Sequence, residues 1–128
     1  MGEIMHEIVA TSEAPDPIGP YSQAIRANGF VFVSGQIPIH PKTGAVDDGI
    51  QDQTHRVIKN LSAILDAAGS GLDRVVKTTV FMADLDDFPS FNQIYEKYFA
   101  DTKPARATIQ AARLPKEVLV EMEAIATI

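Results

Sequence analysis

The sequence predicts an α+β fold: a six-stranded sheet with two helices on one face. Three observations lead there. Two stretches carry the apolar spacing of a single helical face, shorter stretches alternate or are β-branched, and together they run in the order β-ββ-α-β-α-ββ. Two helices have the area to cover only one side of such a sheet. The other side needs a different cover.

Ile4 to Ala10 reads as a short edge strand. Thr11 to Pro20 (TSEAPDPIGP) is irregular, because its three Pro and one Gly forbid a continuous helix. Tyr21–Ala27 and Phe30–Ser34 form a hairpin about Asn28-Gly29, a pair that accepts the positive φ angles of a tight turn. Residues 38–44 (PIHPKTG) form a loop. From Gly49 to Ala68 the apolar residues Val57, Ile58, Leu61, Ile64, Leu65 and Ala68 mark one helical stripe, ended by Gly69 and Gly71. Val75–Ala83 is a strand. Asp86 and Asp87 cap a second helix that tolerates Pro89 in its first turn. Its apolar side is Phe88, Phe91, Ile94, Tyr95, Tyr98 and Phe99. Ala105–Ala111 and Val118–Ile128 finish as strands about a turn at Leu114-Pro115. In the last strand Val118, Val120, Met122, Ala124, Ala126 and Ile128 are wholly apolar and belong against the helices. Leu119, Glu121, Glu123, Ile125 and Thr127 face the other way, a half-apolar surface that calls for a partner subunit.

At 128 residues, with 45% apolar and 22% charged composition, the chain is one ordinary domain, 1–128, without repeats or linkers. It contains no cysteine, which excludes disulfides, thiolate metal sites and a thiol nucleophile, and suits a reducing compartment. Seventeen acidic against eleven basic residues give a charge of −6, without the basic clusters that nucleic acid or anionic membranes require. No apolar run reaches membrane-spanning length, and Met1 to Ala10 lacks the pattern of a secretory signal. A cytoplasmic protein is the expectation.

His6, His40 and His55 show no metal-ligand spacing. Gly69 and Gly71 follow a helix rather than a strand and lack a phosphate-loop fingerprint. Glu121 and Glu123 place two carboxylates on one sheet face, about 7 Å apart. Such a pair supports acid–base chemistry or is simply solvated. Arg106 stands between alanines in Pro104-Ala105-Arg106-Ala107-Thr108, with Arg106, Thr108 and Gln110 on one strand face. A guanidinium with room around it suits a carboxylate ligand; the plainer reading is a salt bridge to Glu121 or Glu123 on a neighbouring strand.

Several blocks closely resemble the RidA/YjgF family: Ile18-Gly19-Pro20-Tyr21-Ser22-Gln23-Ala24, Ser34-Gly35-Gln36-Ile37-Pro38, Val76-Lys77-Thr78-Thr79-Val80-Phe81, Pro104-Ala105-Arg106, Arg113-Leu114-Pro115 and Glu121-Met122-Glu123-Ala124-Ile125-Ala126. The likeness is collinear from about residue 10 to the C-terminus. It implies a chorismate-mutase-like α+β fold with a mixed six-stranded sheet, assembled as a homotrimer with a site in each inter-subunit cleft. It also implies hydrolysis of 2-imino and enamine acids, such as 2-iminobutanoate and 2-iminopropanoate, to 2-oxoacids and ammonia. No metal or organic cofactor is implied. Carried over by motif, Arg106 binds the substrate carboxylate, Glu121 orients the attacking water and Tyr21 shares the proton transfers. Ser34, Gly35, Asn92 and Thr108 line the site. Thr108 stands where many relatives carry cysteine, so thiol chemistry is excluded here.

Two other classes keep a place beside this one. A trimeric module that binds small carboxylates or shields other proteins would use Arg106 without depending on Glu121. A ribonuclease or translation inhibitor would need the basic surface that the composition lacks.

Overall fold

A computed structural model describes residues 6–128. Six strands, β1 (His6–Val9), β2 (Ala24–Ala27), β3 (Phe30–Gln36), β4 (Val75–Met82), β5 (Ala105–Gln110) and β6 (Val120–Thr127), form one sheet in the order β1-β2-β3-β6-β4-β5. The helices are α1 (Ile50–Ala67) and α2 (Phe88–Phe99). Every neighbouring pair is antiparallel except β4 and β5, so the sheet is mixed. Ile4 and Met5, assigned above to the first strand, lie outside the described residues.

Local chemistry explains the elements. Asn28 and Gly29 have φ of 53° and 81°, the left-handed pair that a tight two-residue turn between β2 and β3 requires. Val57, Ile58, Leu61, Ile64 and Leu65 of α1 are at most 1% exposed, packed on Val31, Val33, Met122, Ala124 and Ala126 of the sheet. Burial of each such side chain contributes about 1.5–3 kcal/mol before chain entropy is charged against it. The second helix starts differently from the expectation. Neither Asp86 nor Asp87 caps it through its side chain; a short 3-10 turn, Leu85–Asp87, leads in, and the Asp84 carboxylate accepts the Asp86 amide at 2.8 Å. The shift is one of register: the turn consumes the two aspartates before the helix begins, while Gln110 Oε1 accepts the Leu85 amide and ties the entry to β5.

In β6 the alternation holds, with Val120, Met122, Ala124 and Ala126 buried under the helices. Ile128 departs from it. It lies past the end of the strand and is 38% exposed, joined only by its amide to the Gly29 carbonyl. The opposite face carries a row running Ile8, Ile25, Phe32, Ile125 and Lys77 across five strands by register. Ile8 is 69% and Phe32 44% exposed. Neither helix packs on this side.

Candidate functional site

The expected site residues fall into two groups on opposite faces of the sheet. The first surrounds Glu121. Between Val33 and Gln36 the β3–β6 register slips, so Ser34 and Gly35 together oppose a single residue of β6. This bulge turns the strand toward the hollow beside it. The Glu121 carboxylate lies directly against Gly35: a Cβ there would sit 2.2 Å from Glu121 Oε2. Glycine is required by that approach. Ser34 donates its hydroxyl to the Ser22 carbonyl at 2.6 Å and its amide to the Gln23 carbonyl at 2.9 Å.

Gln23, 3% exposed, organises the wall of this hollow. Its Oε1 accepts the Thr11 amide, while its Nε2 donates to the carbonyls of Thr11, Ala14 and Pro15. The irregular proline-rich segment is thereby folded over the sheet edge, and Tyr21 stands at its end, half exposed, with its hydroxyl near the Ile18 amide. A cavity of about 570 Å³ results, lined among others by Tyr21, Ser34, Gly35, Lys116, Glu121 and Glu123. Burial pushes the Glu121 carboxyl above the usual carboxylate range, and the neighbouring Glu123 charge pushes it further. A carboxylate poised upward is suited to take a proton from water.

The second group surrounds Arg106 on edge strand β5. Residues 78 and 106 are in register and share the helix side of the sheet, where Thr78 is buried. The guanidinium lies 4.7 Å over the Tyr95 ring and 5.2 Å from the Phe88 ring centroid, and donates to Asn92 Oδ1 at 2.8 Å. Three residues of α2, one turn apart, thus hold one cation in place. Tyr95 is itself fixed by a 2.8 Å hydrogen bond with the Thr78 hydroxyl. Beside them is a hollow of about 420 Å³, lined by Asn92, Tyr95, Glu96, Phe99, Lys103 and Arg106 among others. Arg106 has no ion-pair partner among the described residues.

The salt bridge from Arg106 to Glu121 or Glu123 does not form. Strand β4 separates β5 from β6, and the side chains leave opposite faces. The flanking alanines leave Arg106 exposed beside its hollow, and the Tyr95 and Phe88 rings pack against its guanidinium. Thr108 shares the Arg106 face; its hydroxyl is buried without a partner and lines neither hollow. Gln23, Lys116, Phe88 and Tyr95 were not singled out from sequence as site residues. The two aromatics fit the apolar stripe of α2, and no local pattern marks a buried glutamine.

Away from both hollows, His40 Nε2 meets Asp47 at 3.1 Å while Nδ1 accepts from Arg56, and His55 Nδ1 meets the Tyr98 hydroxyl at 2.7 Å. These rings are engaged in holding the loop before α1 and the α1–α2 seam. Among the described residues no helix is long and apolar enough to cross a membrane.

Comparison with known proteins matches residues 11–128 to the family described as Endoribonuclease L-PSP. A RutC family protein of Pyrococcus horikoshii is 54% identical over 123 residues, covering 95% of this chain and 98% of the relative. A 2-iminobutanoate/2-iminopropanoate deaminase of Salmonella typhimurium is 46% identical over 125 residues, covering 95% and 98%. The crystal structure of E. coli TdcF with bound serine superposes with a TM-score of 0.92 at 43% identity, covering 95% of this chain and 98% of that one.

Proposed function

The chain belongs to the Endoribonuclease L-PSP family, the RidA/YjgF proteins, and from that premise we propose that it hydrolyses 2-imino and enamine acids to 2-oxoacids and ammonia. Deaminase activity is the named function of the Salmonella relative, and a small amino acid occupies the E. coli structure. The observation that carries the reading is the unpaired Arg106, steadied by Asn92, Tyr95 and Phe88 beside a hollow. A cation so held, with no ion-pair partner among the described residues, suits an incoming carboxylate.

In this reading the protein is a homotrimer, and each cleft joins the Glu121 hollow of one protomer to the Arg106 hollow of the next. The exposed apolar row on the helix-free face supports burial against further copies. Arg106 clamps the substrate carboxylate and so fixes C2, the electrophilic carbon of the protonated imine. Ionised Glu121 holds a water and accepts its proton as the oxygen bonds to C2. The resulting carbinolamine collapses to the 2-oxoacid, and ammonia leaves with a proton returned from Glu121 or Tyr21. Ser34, Gly35 and Asn92 shape the cleft. Imines already hydrolyse in water, so positioning and one base suffice. The cysteine-free composition suits the reducing cytoplasm.

The test couples a threonine dehydratase to the protein and follows 2-oxobutanoate release while semicarbazide competes for the imine. Added protein is expected to accelerate release. Arg106→Ala is expected to lose about 2–5 kcal/mol of transition-state binding, roughly 30- to several-thousand-fold in kcat/KM. Wild-type acceleration by the Arg106→Ala protein would overturn the assignment.

A further inference from the structure

The hollow around Glu121 contains more negative charge than its proposed chemistry tolerates. Asp16, Glu121 and Glu123 line it, and Lys116 is the one cation among its lining residues. From β3 come only the uncharged Ser34, Gly35 and Gln36. Strand β4 sets Phe81 opposite Glu121 and Thr79 opposite Glu123, with Lys77 further along, opposite Ile125. Tyr21 is the remaining titratable group. Arg113 and Glu117, on the loop before β6, are spent on each other. Burial and Glu123 both favour the protonated form of Glu121, and among the described residues no cation opposes them. A base must be ionised at the pH where it works, even with an anionic substrate beside it.

The loop that carries Lys116 is built at some conformational expense. Lys116 has φ 56° and ψ 23°, and Glu117 follows at φ 55°. Two successive non-glycine residues in the left-handed region are uncommon and strained. The turn persists because buried Leu114 anchors it, the Glu117 and Val118 amides bond the Leu114 and Pro115 carbonyls at 3.2 and 3.3 Å, and Arg113 pairs with Glu117. Lys116 itself has no ion-pair partner among the described residues. A strained turn that leaves its lysine unspent, on the rim of an anionic hollow, points to a use for that charge.

We propose that Lys116 is an electrostatic positioning residue, its ammonium swinging over the Glu121 carboxylate when a second protomer closes the hollow. This rests on the deaminase reading for its purpose, since it keeps the water-activating carboxylate charged while the substrate is bound. Lys116 and Glu121 line the same cavity, and the four-carbon stem is flexible enough to carry the ammonium across it.

The test measures the pH profile of kcat/KM, and the carbon-13 titration of the glutamate carboxyls, in the assembled full-length protein. The Glu121 signal is assigned by its loss in Glu121→Gln. In Lys116→Gln the acidic limb and the Glu121 titration are expected to move up by about one pH unit, the scale of one opposite charge at 4–6 Å. Lys116→Arg is expected to hold both at their wild-type positions. Lys116→Gly frees the left-handed backbone, so it is expected to unfold no earlier than wild type and yet show the same upward movement. A lysine kept only for the turn's shape would leave both profiles where they were. An unchanged Glu121 titration in Lys116→Gln overturns the inference whatever the activity. A titration that moves in a protein unable to hydrolyse imines would uphold the inference and overturn the deaminase reading instead.

Discussion

Gly35→Ala isolates the contact on which the proposed base depends. The added methyl would stand 2.2 Å from Glu121 Oε2, whereas ordinary contact begins at 3.4 Å, so the carboxylate must retreat by about 1.2 Å. The atom in the way ends a flexible side chain, and Gly35 does not occupy the left-handed backbone region, so the fold accommodates the change. The chemistry does not. A displacement near 1 Å at a reacting group costs about a hundredfold in rate, or about 2.7 kcal/mol of activation energy. The assay is steady-state kinetics in the dehydratase-coupled system, alongside calorimetric binding of the product 2-oxoacid. The expected result is a roughly hundredfold fall in kcat with product affinity within a few-fold of wild type, because Arg106 is untouched. Near-normal kcat in a folded Gly35→Ala protein would refute the reasoning, since the glycine would then be incidental to Glu121.

Glu121→Gln is expected to be more stable than wild type at neutral pH. The folded-state pKa of Glu121 is raised, so between the ordinary glutamate value and that raised value the folded protein binds more protons than the unfolded chain. Stability therefore falls as pH rises through that window, and glutamine escapes the fall. Urea midpoints at a fixed protein concentration should differ more at pH 7.5 than at pH 4.5; an equal difference at both would contradict the raised pKa. Tyr95→Phe keeps the ring under Arg106 but leaves the fully buried Thr78 hydroxyl without its partner, at a cost of about 1–3 kcal/mol. Adding Thr78→Val should recover most of that loss, and failure to do so would mean the hydrogen bond is not its source.

The elements were legible because each is written in local chemistry. The stripe of α1, the Asn28-Gly29 turn and the alternation of β6 all survive in the structure with boundaries moved by one or two residues. Strand order was not legible. Its closing step, β6 inserting between β3 and β4, depends on packing between segments far apart in sequence. The placement of β5 was within reach: a strand, a helix and a strand in succession favour parallel neighbours, which β4, α2 and β5 are. Without that step a bridge from Arg106 to Glu121 or Glu123 stays open as one reading of the sequence, and β4, lying between the two strands, closes it. The site followed the same division. Motif resemblance picked out Arg106, Glu121, Gly35 and Asn92, and the structure supplies contacts that spacing does not encode. The Gly35–Glu121 approach crosses more than eighty residues of sequence, and Gln23 and Lys116 reach the hollow through tertiary placement alone.

A mixing experiment addresses the shared cleft most directly. Arg106→Ala and Glu121→Gln each remove one half of the proposed site, and neither protein alone is expected to turn over. When the two proteins are unfolded together in equal amounts and refolded, random assembly joins an intact Glu121 hollow to an intact Arg106 hollow in about a quarter of the clefts. Activity near a quarter of the wild-type rate is the expected outcome. If the co-refolded mixture forms mixed oligomers yet remains as inactive as its parents, the two residues do not work together across a protomer boundary, and the proposed site is wrong.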